Sequence, residues 1–364
     1  MTDYVDAFRD PAAARALAAR VRAAAAALPP GRVARLMEVC GTHTMAIGRA
    51  GLRRLLPDTV DLVSGPGCPV CVTSPGYVDA AVGLARRGVT VATFGDLLHV
   101  PGSETSLAGA RAEGGRVEIC HSPERALEIA RAEPGREVVF LAVGFETTAA
   151  PVVSLAPMAR AAGVRNLSML VAFKRIPPAL DALARDPDVR IDGFLCPAHV
   201  SAIIGADAYE PFVAAHRLPC VIAGFEPLDI LGGVESLLRQ VAAGQARVEN
   251  QYARVVRPGG NRLAQRRLDE CLEPADADWR GIGALPGSGW RLRPEWAEFD
   301  AERRHGIAVK PGRESPGCRC GDVLRGKRKP TECPLFRRGC DPSRPVGPCM
   351  VSSEGACAAW FRYG

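Results

Sequence analysis

The chain has no run of 18 apolar residues, so no membrane-spanning helix is expected. Aromatics are only 5% of its 364 residues, which leaves little surface for stacking nucleic-acid bases. The opening stretch MTDYVDAFRD is acidic and polar where a secretory signal would be basic and then apolar, so a cytoplasmic location is expected. There is no Walker A loop, no Gly-x-Gly-x-x-Gly after a strand, no His-Glu-x-x-His and no Gly-x-Ser-x-Gly elbow. These absences argue against the common nucleotide, zinc-protease and serine-hydrolase chemistries and leave enzymatic status open. Net charge is a mild +6. Its dense runs, RGKRKP (325–330) and FRRGC (336–340), read as a solvated basic face.

Cysteine is what the chain has in abundance: thirteen of them. Without a secretory signal a disulfide framework is not expected, which leaves metal binding and thiol redox chemistry. Cys318, Cys320, Cys333, Cys340, Cys349 and Cys357 crowd the C-terminus, Cys40, Cys68 and Cys71 lie near the front, and Cys120, Cys196, Cys220 and Cys271 are scattered. Residues 312–364 hold too little aliphatic material for a core of their own and need a metal or a neighbour. Thiolates suit iron–sulfur clusters or zinc. The terminal spacing lacks the paired knuckles of a zinc ribbon and better suits a four-iron four-sulfur cluster wrapped by loops. Six cysteines divide naturally into four ligands and one redox pair.

Apolar runs at 35–40, 60–65, 89–95, 137–145, 167–173, 191–197 and 219–225 read as strands, with helical stretches at 76–87, 104–113, 122–132, 149–162, 177–185 and 234–244 between them. Continuous apolar strands alternating with helices predict parallel α/β sheets, whose functional loops lie beyond the strands' carboxyl ends. An internal repeat is visible. MEVCGTHTM resembles LAVGFETTA, VDLVSGPGCPVCVT resembles VRIDGFLCPAHVS, and VATFGDLLHVPG resembles VIAGFEPLDILGG. The order suggests a peripheral N-terminal helix (1–29), α/β domains at 30–118 and 119–245, a connecting segment (246–284) and a loop-rich cysteine domain (285–364). Residues 285–306 read as a linker with an amphipathic element.

The candidate site residues sit at strand ends. Cys40 ends a strand and is followed by Thr42, His43 and Thr44; a helix starting there would favour its thiolate. Cys68 and Cys71 form a Cys-x-x-Cys in GPGCPVC, short of zinc partners and so read as a dithiol that can close to a disulfide. Glu146, Thr147 and Thr148 in GFETTAAP, His199 in CPAHVS and Glu226 in AGFEP add polar groups at other strand ends, with the glutamates able to act in proton transfer or as hydrogen-bond acceptors. A common cleft follows, with the polar stretch 250–261 as a further candidate lining.

EVCGTHTMAI, GPGCPVCVT, GFETTAAP, CPAHVS and the terminal CGDVLRG, ECPLF and GPCMVSSEGACAAW together resemble the HypD family of hydrogenase maturation proteins, from about residue 35 to the end. The resemblance implies a scaffold for the iron–dicyanide–carbonyl unit of nickel–iron hydrogenases. It implies a HypC-type chaperone that shares the iron and a HypE-type cyanide donor supplied by HypF. It implies two similar α/β domains and a third carrying one [4Fe-4S] cluster. On this chain it makes Cys40 the ligand of the assembled iron and Cys68/Cys71 a redox-active pair beside it. Cys318, Cys333, Cys340 and Cys357 become cluster ligands, and Cys320/Cys349 a second redox pair. On the thiols alone, an iron–sulfur-dependent thiol–disulfide oxidoreductase acting on protein disulfides is the competing reading.

Overall fold

The computed structural model describes residues 6–364; the first five residues of the expected N-terminal segment lie outside the described residues. Among the described residues nine strands build two parallel sheets: β1 (Ala34–Glu38), β2 (Val60–Ser64), β3 (Thr90–Thr93), β4 (Val117–Ile119), β5 (Val138–Gly144), β6 (Leu167–Phe173), β7 (Gly193–Pro197), β8 (Cys220–Ala223) and β9 (Val248–Asn250). One sheet has the order β2-β1-β7-β8-β9, the other β4-β3-β5-β6, and every pairing within them is parallel. The expected α/β class with two parallel sheets is therefore present. β5 is buried along its whole length, as a strand covered by helices on both faces must be. The three-residue β4 and β9 were too short and too polar to stand out in the sequence.

The expected boundary at 118/119 does not separate the sheets. β3 and β4 join β5 and β6, whereas β7, β8 and β9 return to β1 and β2. The first sheet is thus discontinuous in sequence and the second is inserted within it. The repeat had marked equivalent strand–helix junctions, and an apolar run carries no label for the sheet it joins.

The N-terminal helix Pro11–Ala26 is capped by Asp10, whose carboxylate accepts the Ala13 amide at 2.7 Å. It is not peripheral. Val21 is fully buried, and the helix packs on Pro227–Ala242 to cover one face of the first sheet. The stretch expected to be a linker is part of an antiparallel hairpin, β10 (Leu272–Trp279) and β11 (Gly283–Leu292). Trp279 is fully buried there, and its indole N–H donates to Ser288 Oγ at 2.8 Å. Beyond it come only short helices, the last three of them, Cys320–Leu324, Pro348–Val351 and Ala356–Tyr363, lying around a small apolar cluster of Phe336, Cys340 and Met350. The last of these helices docks on Gly41–Arg49 of the first sheet's layer.

Candidate functional site

The loops after β1, β2, β5 and β7 converge on a cleft of about 180 Å³. Cys40, Thr42, Gly67, Pro69, Thr147, Thr148, His199 and Glu354 line it. Both sheets contribute, so the cleft lies where their carboxyl ends meet.

Cys40 is the N-cap of helix Gly41–Arg49 and is 7% exposed. The expected lowering of its pKa does not hold. Burial pushes the thiol up to about 12, against the smaller opposing pull of the His43 and Thr42 amides on the sulfur. Beneath it, Glu38 is fully buried, accepting the Cys40 amide at 3.3 Å and the Thr44 hydroxyl. Its carboxyl is pushed up to about 7 by burial.

The dithiol loop reaches Cys40 because residue 67 has no side chain. The Gly41 amide donates to Gly67 O at 3.0 Å, and a Cβ on Gly67 would stand 2.1 Å from the Cys40 nitrogen. Cys68 and Cys71 are 3% and 0% exposed, and the Cys71 amide donates to Cys68 Sγ at 3.2 Å.

The other sequence candidates divide. Thr147, Thr148 and the exposed His199 face the cleft. His43 does not line it. Its ring is fully buried, with Nε2 placed 2.9 Å from Gly224 O and 3.1 Å from Ala223 O, so the Nε2–H tautomer is required. Burial lowers its pKa to about 4, and Phe225 stacks between it and His199 at centroid distances of 4.8 and 4.2 Å. His43 thus has no free proton to donate near neutral pH; it braces the strand end behind Cys40. Glu146 is likewise turned from the cleft. It is 1% exposed, and Oε1 accepts the Ile176 amide at 2.9 Å, capping the helix Ile176–Arg185. Glu226 pairs with Arg9 at 2.6 Å and does not line the cleft, and 250–261 packs on Ile203–Gly205.

Glu354 was missed. It comes from the C-terminal segment, and its Oε1 accepts the Thr42 hydroxyl at 2.7 Å. Gly41 permits the approach, since a Cβ there would lie 2.5 Å from Glu354 Cβ. The only sequence signal was a lone acid in SSEG between two cysteines.

All six terminal cysteines line a second, narrow cavity with Leu335, Phe336 and Met350. Among the described residues no three His, Cys, Asp or Glu side chains converge on one point as a single metal ion requires. The six thiols line one cavity together, and four of them, one thiolate per iron, are the donor set that a multi-iron cluster takes. Backbone also reaches the sulfurs: the Val346 amide donates to Cys340 Sγ at 3.3 Å. This donor set fits a [4Fe-4S] cluster. Cys320 and Cys349, both buried, have their sulfurs 2.7 Å apart. The Cys349 thiol also meets that of Cys71, whose sulfur lies 3.9 Å from Pro348 O. A continuous series of thiols therefore runs from the cavity through Cys320, Cys349 and Cys71 to Cys68. Cys120, Cys196, Cys220 and Cys271 line neither the cleft nor the cavity.

Fold and site together define a two-sheet α/β protein built round paired thiols, with one further cysteine held in a cleft beside them. The HypD family, described as "Hydrogenase formation hypA family", matches residues 12–364. The chain is 49% identical to the hydrogenase maturation factor HypD of Azotobacter vinelandii, over 99% of this chain and 97% of that protein. It is 45% identical to the factor of the same name from Cupriavidus necator (99% and 97%) and 44% to that of Escherichia coli K12 (99% and 98%). The chain belongs to the HypD family.

Proposed function

We propose that the chain is a hydrogenase maturation factor, a scaffold on which the iron–dicyanide–carbonyl unit of a nickel–iron hydrogenase is assembled. The supporting observation is that Cys40 stands in the inter-sheet cleft with the Cys68/Cys71 loop packed directly against it. The iron is the cargo. Cys40 offers it one thiolate, and a single thiolate cannot fill its coordination sphere. A HypC-type chaperone supplies a second thiolate and a HypE-type partner supplies cyanide. Burial keeps Cys40 protonated near neutral pH, so an incoming cation displaces the proton and takes over the charge, while the Thr42 and His43 amides hold the sulfur. His199, Thr147 and Thr148 face the space where cyanide nitrogens would lie and can donate hydrogen bonds there. Glu354 fixes Thr42 and closes the cleft from the C-terminal side.

Cys318, Cys333, Cys340 and Cys357 would hold a [4Fe-4S] cluster, which supplies one-electron transfer when bound. The protein's own thiols do the rest. Because Cys349 touches both Cys320 and Cys71, a Cys68–Cys71 disulfide can exchange with the Cys320/Cys349 dithiol inside the protein. One S–S bond breaks as another forms, and two protons pass with the pair. The competing thiol–disulfide oxidoreductase reading is disfavoured because Cys68 and Cys71 are too buried to meet a protein disulfide. Among the described residues no helix is long and apolar enough to cross a membrane, and the cytoplasm is the proposed setting.

The test is anaerobic purification with a HypC-type chaperone, followed by infrared spectroscopy across the cyanide and carbonyl stretches. The wild type is expected to show both sets of bands and Cys40→Ala neither. A Cys40→Ala protein that keeps the bands and still matures hydrogenase overturns the reading.

A further inference from the structure

The C-terminal segment carries much of the chain's excess charge: residues 312–364 hold ten Lys or Arg against five Asp or Glu. The two basic runs noted in the sequence behave differently. In the first, Arg325, Lys327, Arg328 and Lys329 all pair with Asp61, Asp186, Asp188 or Asp322. Arg325, Lys327 and Lys329 fasten the segment to the rest of the chain, and Arg328 pairs within it. In the second, Arg338 has no carboxylate partner among the described residues, and neither do Arg319 and Arg344, while the only carboxylate that Arg337 reaches is the chain end, Gly364 O, at 3.4 Å. All four are exposed.

Their positions are not scattered. Arg319 lies between Cys318 and Cys320, Arg337 and Arg338 lie between Cys333 and Cys340, and Arg344 lies between Cys340 and Gly347. Three stretches of the cavity wall, 318–320, 333–340 and 340–347, therefore present an exposed guanidinium that pairs with no Asp or Glu side chain, whereas 349–357 carries no arginine. The nearby acids are mainly engaged elsewhere: Asp341 accepts from Ser343 and the Arg344 amide, with the Arg344 charge a minor further pull, Glu332 accepts the Lys329 amide, and Glu354 the Thr42 hydroxyl. Arg337 even holds a left-handed backbone, φ +60°, which a non-glycine residue adopts only where its surroundings impose it. Its guanidinium donates to Phe361 O at 2.9 Å and lies 5.6 Å from the ring of Phe336, a wall of the cavity.

We infer that this arginine rim is the docking surface for an acidic one-electron carrier protein, which delivers electrons to the cysteine cavity. The inference rests on the cluster reading given above. It also meets a chemical need: reducing the Cys68–Cys71 disulfide breaks one S–S bond and takes two electrons and two protons, and the thiol series only passes electrons on. An outside reductant must supply them, one at a time through a cluster. Cys318, Cys333 and Cys357 are partly exposed, whereas Cys68, Cys71, Cys320 and Cys349 are buried, so the rim is where an electron can enter. A complementary charged surface raises encounter rates by about 10- to 1,000-fold.

The test uses the reconstituted full chain and the charge-reversal variant R319E/R338E/R344E, whose native side chains make no hydrogen bond or ion pair among the described residues. Reduction is followed by bleaching of cluster absorbance in stopped flow, with reduced flavodoxin as the acidic donor and methyl viologen radical cation as a small donor of opposite charge. Flavodoxin is expected to reduce the variant at least ~10-fold more slowly than the wild type. Its wild-type rate should also collapse near 1 M salt, where the screening length is about 3 Å. Methyl viologen should reduce the variant no more slowly than the wild type. Equal flavodoxin rates in the two proteins overturn the docking surface while leaving the cluster in place. No bleaching with either donor, in a protein without cluster absorbance, overturns the cluster reading and the docking inference with it.

Discussion

Gly67 and Cys40 meet backbone to backbone, close enough that a single added Cβ would stand 2.1 Å from the Cys40 nitrogen. Gly67→Ala should therefore push the dithiol loop off the helix start. The expected cost is about 1–3 kcal/mol, as for other overpacked sites. Gly83, inside helix Pro75–Arg86, is the control: a Cβ there meets nothing within 4 Å. Gly83→Ala should stabilise by about 0.5–1 kcal/mol. Urea denaturation of both variants checks the pair, and equal effects would refute the contact.

Glu146 gives a pH signature. Burial raises its carboxyl from 4.5 to about 7, so the folded chain keeps a proton there that the unfolded chain releases. Its contribution is therefore present below pH 4.5 and is lost as pH rises through 7, by up to ~3 kcal/mol. Glu146→Gln keeps an oxygen for the Ile176 amide and has no proton to lose. The variant's advantage over the wild type in urea midpoint should grow from pH 5 to pH 8. Glu38 is pushed the same way, so part of the wild-type slope should remain. A pH-independent difference would exclude the mechanism.

Removing metal should loosen one region only. The cysteine segment's own apolar cluster is confined to Phe336, Cys340 and Met350 with partly buried neighbours, too little to order its loops. Chelated protein should exchange amide hydrogens across 318–347 at least ~10-fold faster than loaded protein, while β5 and β6 stay protected. Uniform protection in both forms would mean that docking alone holds the segment.

Cys349 is the shared neighbour of Cys320 and Cys71. Cys349→Ser should leave the [4Fe-4S] spectrum in place but isolate the two thiol pairs. With dithionite as reductant, the Cys68–Cys71 disulfide should persist in the variant and vanish in the wild type, as read by alkylation and mass spectrometry. Loss of the cluster spectrum instead would reassign Cys349 as a ligand.

The seven strongest strands were legible because parallel, fully covered strands are written as apolar runs, and β5 and β6 show this best. Sheet membership was not, because pairing is a tertiary choice: nothing in Val91 says that its partner will be Val139 and not a residue of β1. The site was legible where a motif sits at a strand end, as with Cys40, Thr148 and His199. It misled where the same position turns inward. Glu146 and His43 read as functional polar groups of the cleft, and each turns one polar atom to backbone partners away from it. Glu354 was hidden because a lone acid far along the chain has no spacing to betray that it will meet Thr42.

The interleaved sheets carry a consequence for synthesis. Leu36 in β1 pairs on one side with Leu62, but on the other with Gly193 of β7, the middle strand, and β8 and β9 must follow before that sheet is complete. The first half of the nascent chain therefore leaves the ribosome with an open, apolar strand edge that nothing yet made can close. The inserted sheet, complete once β6 emerges, is placed to fold first and to serve as the platform on which the earlier strands wait. The cleft, and with it the setting of Cys40, comes into being only late in translation, after Glu354 has been added.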